Sequence, residues 1–353
     1  MGQRARLWLA GLVVALILGS WGVAGGWNAP EGTSIATQNP TPDPPTVASG
    51  TKPTGNPTAN TPLPVPTQPT LDDQGGSGRY RLSLDTVTVE VDAQQGGRII
   101  AFALDGENLL RDNSVDPQNY GSTFWVSPQA IWDWPPVPEI DRAPYQVLQS
   151  DRSLRLVSQP SPSLGIQVSK SLALGRFRAD GSPTLRLTYR ITNTHTHPLR
   201  YAPWEVSRVS PTGVTFYPTG SALYGSGSFG TPLTETSAGV TWWNHDSAPL
   251  SQDQKLFAEG FGGWLAHLDG DKLFLKTFPD ITAADQAPRE SEIEVYANGN
   301  HTYVEMEAQG AYTRLAPGES LEWTVGWSVH RVPATIPPVA GSGALVDWVT
   351  GLL

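Results

Sequence analysis

From Arg79 to about Pro333, apolar side chains recur at every second position in short runs, each ended by a glycine-containing turn. Period two puts alternate side chains on opposite faces of a strand, so this pattern demands sheet and excludes a helical core. Thr86-Val87-Thr88-Val89-Glu90-Val91 alternates, Gln95-Gly96-Gly97 turns, and Arg98–Leu104 returns, closed by Asp105-Gly106. Further runs follow at Leu154–Val157, Ile166–Leu174, Leu185–Asn193, Gly213–Tyr217 and Leu321–Val329. Two hairpins are expected, Trp264–Phe278 around Asp269-Gly270 and Glu292–Gln309 around Asn298-Gly299. Strands at this density indicate one large all-β sandwich over residues 79–333.

The flanks read differently. Arg4 and Arg6 precede an apolar run from Leu7 to Ala24, ending in small residues. That order fits a secretory signal over residues 1–26, and its length also fits an uncleaved membrane anchor. Either reading sends the rest of the chain out of the cytoplasm, basic flank inside. Residues 27–78 are Thr, Pro, Asn, Gly and Ser with almost no large apolar side chain, as expected of a disordered tether. The tail, 334–353, carries Leu345, Val346, Trp348, Val349, Leu352 and Leu353 on one helical stripe. A short amphipathic helix docked on the sandwich is expected there.

A net charge of −10 argues against a nucleic-acid partner, which needs a basic footprint. With no cysteine there is no disulfide, thiolate metal site or cysteine nucleophile. His195 and His197 alternate in a turn without a third ligand, so neither metal nor cofactor is expected. Membrane contact is expected only through the N-terminal segment, and the protein is expected to be a monomer.

Three segments can carry chemistry. Gly121–Pro136 holds Trp125, Gln129, Trp132, Asp133 and Trp134 among prolines, in a stretch that reads as too irregular for a strand. Indoles beside amide and carboxylate groups fit a sugar's CH face and hydroxyl edge, and they also fit a plug at one end of the sandwich. In Tyr201–Arg208 a strand puts Trp204 and Arg208 on one face and Glu205 on the other. In the Glu292–Gln309 hairpin, a two-residue turn at Asn298-Gly299 sets Ile293 opposite Val304 and Glu292 opposite Glu305. One face is then apolar, while the other carries Glu292, Glu294, Tyr296, Tyr303, Glu305, Glu307 and Gln309. Opposed like charges cost a few tenths to ~1 kcal/mol, so a cation, a basic side chain such as Arg98, Arg208 or Lys276, or a retained proton should offset them. The same alternation also fits a plain solvent face.

These segments carry a resemblance. Gly96-Gly97-Arg98-Ile99, Trp125-Val126-Ser127-Pro128-Gln129 with Trp134-Pro135-Pro136, Ala202-Pro203-Trp204-Glu205 and Lys276-Thr277-Phe278-Pro279-Asp280 occur in order. Glu294-Val295-Tyr296, Tyr303-Val304-Glu305-Met306-Glu307 and Pro317-Gly318-Glu319-Ser320 follow. Together they resemble an uncharacterised bacterial family of galactose-mutarotase-like domains. The resemblance implies a β-supersandwich with a concave sugar-binding face. Mutarotases pair a histidine acid at the ring oxygen with a glutamate base at the anomeric hydroxyl. Here the strand that usually carries the histidine reads Ala202-Pro203-Trp204-Glu205. Glu305 or Glu307 is left as base, and Glu205, a protonated partner in the Glu292/Glu305 pair, or Lys276 as acid.

The expected function is therefore an extracytoplasmic carbohydrate-binding protein. Its pocket is expected to be lined by Arg98, Trp125, Gln129, Trp134, Trp204, Arg208, Lys276, Glu305 and Glu307, with Glu205. The alternatives are a carbohydrate-active enzyme using Glu305 with Glu205 (an aldose 1-epimerase-like isomerase, or a lyase or hydrolase of surface glycan) and a structural envelope protein.

Overall fold

The computed structural model describes residues 68–149, 152–224, 229–246 and 250–353. The expected signal or anchor segment and most of the expected tether lie outside them. Thr70–Asp73, within the stretch that reads as tether, is an edge strand paired with Arg79–Leu84.

Two antiparallel sheets pack face to face. The first runs Thr70–Asp73, Arg79–Leu84, Val87–Asp92, Arg98–Leu104, Ser122–Ser127, Leu199–Val209, Val304–Gln309, Ile293–Ala297 and Gln254–Gly260. The second runs Gln146–Gln149, Ser153–Val157, Ile166–Gly175, Thr184–Asn193, Ser320–Arg331, Lys272–Thr277, Trp264–Asp269, then Val240–Asn244 beyond the strand Val214–Tyr224. Val214–Tyr224 begins in the second sheet and ends in the first, pairing Thr219 with Gly260 and Tyr224 with Phe257. The expected all-β sandwich is the observed architecture.

Alternation decides what fills the space between the sheets. Leu82, Val89, Phe102, Phe124, Val295, Met306, Tyr189 and Val325 belong to one buried cluster there. Phe124 of the first sheet stacks on Tyr189 of the second at 4.2 Å. A second cluster, Phe216, Trp242, Trp264, Ala266 and Leu275, sits beneath the C-terminal helix Gly343–Leu352. That helix starts where Ser342 Oγ accepts from Leu345 N, and it buries Leu345 and Val349, one turn apart, on the cluster. Burial of this kind contributes about 1.5–3 kcal/mol per aliphatic side chain, enough to hold a helix this short in place.

The turn at Gly96 shows how closely the loops pack. Its φ is +69°, and a Cβ there would lie 2.0 Å from the Asp141 carbonyl oxygen. Only glycine fits. The Gly96 and Gly97 carbonyls in turn accept from buried Lys170 Nζ at 2.7 and 3.2 Å.

Two local expectations are corrected. Ser122–Ser127 is a regular, fully buried strand, because it pairs along its whole length with Leu199–Val209. The hairpin at Asn298-Gly299 is wider than two residues: Ala297 pairs with Val304, Tyr296 with Glu305, Glu294 with Glu307. Asn298 Oδ1 accepts from Asn300 N and Thr302 Oγ1 and so stabilises a longer loop. The register moves by an even number of residues, so each side chain keeps its expected face. A one-turn helix, Pro138–Asp141, also interrupts the strands.

Candidate functional site

A cavity of about 320 Å³ opens on the face of the first sheet that points away from the second. It is lined by Asn119, Trp125, Gln129, Trp134, Trp204, Phe229, Lys255, Tyr296, Tyr303, Glu305 and Glu307. Six of the residues expected at a pocket meet here: Trp125, Gln129, Trp134, Trp204, Glu305 and Glu307.

The indoles form a connected set. Trp125 makes edge contacts with Trp132, Trp134 and Trp204 at 5.8, 6.0 and 5.3 Å between ring centres. Each buried N–H has a carboxylate or carbonyl to donate to. Trp125 Nε1 donates to Asp141 Oδ1 at 2.8 Å, Trp132 Nε1 to the Val126 carbonyl at 2.7 Å, and Trp204 Nε1 to Glu307 Oε2 at 2.9 Å. Trp134 differs: it is 51% exposed, a free ring at the cavity mouth. Gln129 is held by its backbone N–H, which donates to Glu290 Oε1 at 2.7 Å.

The floor is charged and almost dry. Glu294 and Glu307 lie directly opposite one another on adjacent strands, both fully buried. Lys255, from the next strand, bridges them at 2.6 and 3.1 Å. Burial alone would lower the Lys255 pKa, but the two carboxylates more than reverse that and raise it above its ordinary value. Burial dominates at Glu294 and holds its carboxyl well above the usual range despite Lys255; the charge of Glu307 pushes the same way. Gln309 Nε2 donates to Glu294 Oε1 at 2.9 Å. One step along, Arg208 pairs with Glu305 at 2.9 Å and donates to Thr123 Oγ1 at 3.1 Å. Burial still pushes Glu305 up to about 7, against the pull of Arg208. The polar hairpin face is therefore no plain solvent face. Its opposed charges are offset by Lys255, which the sequence reading did not single out, and by Arg208, which it did.

Other expected site residues sit elsewhere. Glu205 and Lys276 do not reach the cavity, which corrects the expectation that they line it. Both have fully buried side chains in the space between the sheets and pair there at 2.9 Å. Glu205 also accepts from Trp327 Nε1 at 2.9 Å and Tyr189 Oη at 2.8 Å, and Lys276 donates to the Met306 carbonyl at 2.9 Å. The cause is strand alternation: Trp204 and Arg208 take the cavity face, so Glu205 must take the other. The expected Glu305–Glu205 catalytic pair is divided by the sheet itself. Glu292 precedes its strand, and its carboxylate accepts from Gly260 N and Ile281 N rather than facing Glu305.

Arg98 is likewise not in the cavity lining. Its guanidinium stacks on Tyr120 at 4.4 Å, donates to the Gln118 carbonyl at 2.8 Å and pairs with Asp141 at 3.3 Å. Since Asp141 holds the Trp125 indole, Arg98 positions an aromatic wall from behind. Arg208 stands beneath the cavity with its guanidinium 5.3 Å from the Trp125 ring centre.

Asn119, Phe229, Lys255, Tyr296 and Tyr303 complete the lining. Tyr296 and Tyr303 were legible on the polar face of the hairpin. Lys255 was signalled only by the alternation Lys255-Leu256-Phe257-Ala258 and by the unbalanced carboxylates.

The antiparallel sandwich has the galactose-mutarotase-like fold, and one of its sheets carries the aromatic, carboxylate-floored cavity. Residues 78–330 match the domain of unknown function DUF4380, and the chain belongs to that family. A galactose mutarotase-like protein from Clostridium acetobutylicum superposes with a TM-score of 0.50 at 10% identity, over 76% of this chain and 99% of that one. A galactose mutarotase-like protein from Lactobacillus casei gives 0.50 at 12% identity, over 72% and 100%. A candidate aldose 1-epimerase from Escherichia coli gives 0.50 at 16%, over 72% and 99%. Identities this low establish a shared fold and nothing about chemistry. No curated protein matches the sequence.

Proposed function

We propose that this protein is an extracytoplasmic carbohydrate-binding protein whose ligand sits in the Trp125–Trp134–Trp204 cavity. One observation carries the reading: aromatic rings, with Trp134 and Phe229 exposed, Tyr296 half-buried and Trp125, Trp204 and Tyr303 buried behind them, surround a floor of carboxylates and one ammonium. Rings supply stacking surface for the CH face of a pyranose, and the charged floor supplies acceptors and donors for its hydroxyls. A cavity of about 320 Å³ is near the lower end of the roughly 300–1,000 Å³ usual for small-ligand sites, and so suits one or two sugar rings. The basic and apolar residues from Arg4 to Ala24 support export.

A second reading, an aldose 1-epimerase-like enzyme, draws on Glu305. A carboxyl near 7 is poised for proton transfer at neutral pH. Ring opening also needs an acid across the same pyranose. Glu205 is spent in the core, and no histidine is among the lining residues. Binding is therefore the preferred reading, with lysis or hydrolysis of glycan behind it for the same reason.

A glycan-array screen of the purified chain tests the proposal, with Trp134→Ala as control. Binding to a defined glycan, weakened at least about tenfold by the substitution, is expected from loss of one stacking ring. Absence of binding to any sugar refutes it. Interconversion of hexose anomers, followed by NMR, would favour the enzyme.

A further inference from the structure

The charge balance of the cavity narrows the ligand. Among the described residues, the cations in contact with the Glu290, Glu294, Glu305 and Glu307 cluster are Lys255 and Arg208. The carboxyls outnumber the cations by two, and burial with mutual repulsion raises Glu290, Glu294 and Glu305 together. Those protons mark a shortage of positive charge. Glu305 is the accessible one: it lines the cavity at 9% exposure, and its Oε1 pairs with Arg208. Its carboxyl is thus within reach of a cation carried by a ligand, whereas Glu294 is sealed beneath the lining.

The surrounding rings favour the same sign. Trp134, Phe229, Tyr296 and Tyr303 line the cavity around Glu305, and a ring face attracts a cation and repels an anion. The protein's own cations already use this property. Lys255 Nζ lies 5.3 Å from the Trp204 ring centre, and the Arg208 guanidinium lies as close to Trp125. An acidic sugar would meet Glu305 and Glu307 in the lining, with Glu294 buried directly opposite Glu307. A neutral hydroxyl can hydrogen-bond to Glu305 but leaves the charge imbalance in place. An ammonium does both.

We infer that the sugar taken by this cavity carries a free, positively charged amino group, an unacetylated amino sugar, with the ammonium on Glu305 and the ring against Trp134 and the tyrosines. This rests on the carbohydrate-binding reading and names its ligand class. On binding, the ammonium displaces the proton that burial holds on Glu305, so ligand and proton exchange.

Calorimetry on the purified chain at pH 6 tests this with three probes: β-1,4-linked trimers of glucosamine, N-acetylglucosamine and glucose. The glucosamine trimer is expected to bind at least about tenfold more tightly than either other trimer, as one desolvated cation–aromatic and charge contact provides. Comparison of buffers with different ionisation heats should show proton release with glucosamine and none with glucose. Glu305→Gln should reduce the glucosamine preference to under about threefold, because the amide carries no charge. Proton release is measured on the unmodified chain, so a poorly folded variant does not decide the matter. Equal or tighter binding of the acetylated or neutral trimer, or binding without proton release, overturns the inference and leaves the carbohydrate reading standing. Silence from all three trimers, together with a blank glycan array, removes both.

Discussion

Lys255→Met probes the floor of the cavity. Lys255 Nζ lies 2.6 Å from Glu294 and 3.1 Å from Glu307, and both carboxylates are fully buried on directly opposed positions. At an effective dielectric of ~20, unit charges ~3 Å apart attract by about 5 kcal/mol, and burial of the ammonium cancels part of that. Removal of one partner from such a group costs about 3–5 kcal/mol, because uncompensated charge stays behind in a dry site. Methionine refills most of the volume, so packing adds little. The expected loss at pH 8 is therefore about 4 kcal/mol, read from urea unfolding followed by tryptophan fluorescence. The pH dependence sharpens the test. Without Lys255 the folded-state pKa of Glu294, already raised by burial, rises further above its unfolded value. A raised carboxyl penalises folding above its folded pKa and not below its unfolded one. The deficit should accordingly shrink as pH falls from 8 towards 5. Addition of Glu294→Gln to the variant should recover part of the loss. A deficit under about 1 kcal/mol at pH 8, or one that grows towards acid, would refute the clamp.

Two further outcomes are expected. Glu205→Gln should lower stability by about 3 kcal/mol, since Lys276 is left buried without its countercharge, yet keep sugar affinity within about twofold because the sheet separates it from the cavity; a large affinity change would put Glu205 back in the site. For Glu305, a carboxyl carried from 4.5 to about 7 by folding weakens the native state by about 3 kcal/mol as pH rises through that window, so wild type should lose this much relative to Glu305→Gln between pH 4.5 and 8. Parallel stability–pH curves for the two proteins would show that Glu305 is not held up by its surroundings.

The contrast between Glu305 and Glu205 shows how far sequence reaches. Both occur in alternating strands beside aromatic residues, and both looked equally fit for a pocket. Period-two alternation already put Glu205 opposite Trp204, and the structure obeys it. What alternation does not say is which face meets the second sheet. Tyr189, Lys276 and Trp327 come from three strands of that second sheet, far apart in sequence, and they absorb Glu205 completely. Sequence proximity to Trp204 does not give Glu205 a shared environment.

The hairpin Ile293–Gln309 shows the opposite case. Its turn was misjudged, yet the carboxylates kept their face because the register moved by an even number of residues. Lys255 stayed hidden because no local pattern links residue 255 to Glu294 and Glu307; only a strand entering from the neighbouring sheet edge brings them together.

Sequence by itself determined the class of fold, since side-chain period and glycine turns are local properties that permit only antiparallel sheet. It also determined the polar and apolar faces of each strand, because face follows from parity alone. Tertiary structure decided which polar face became a cavity and which charges meet there. Those are contacts between strands remote in the chain, and burial against the second sheet sets their energies.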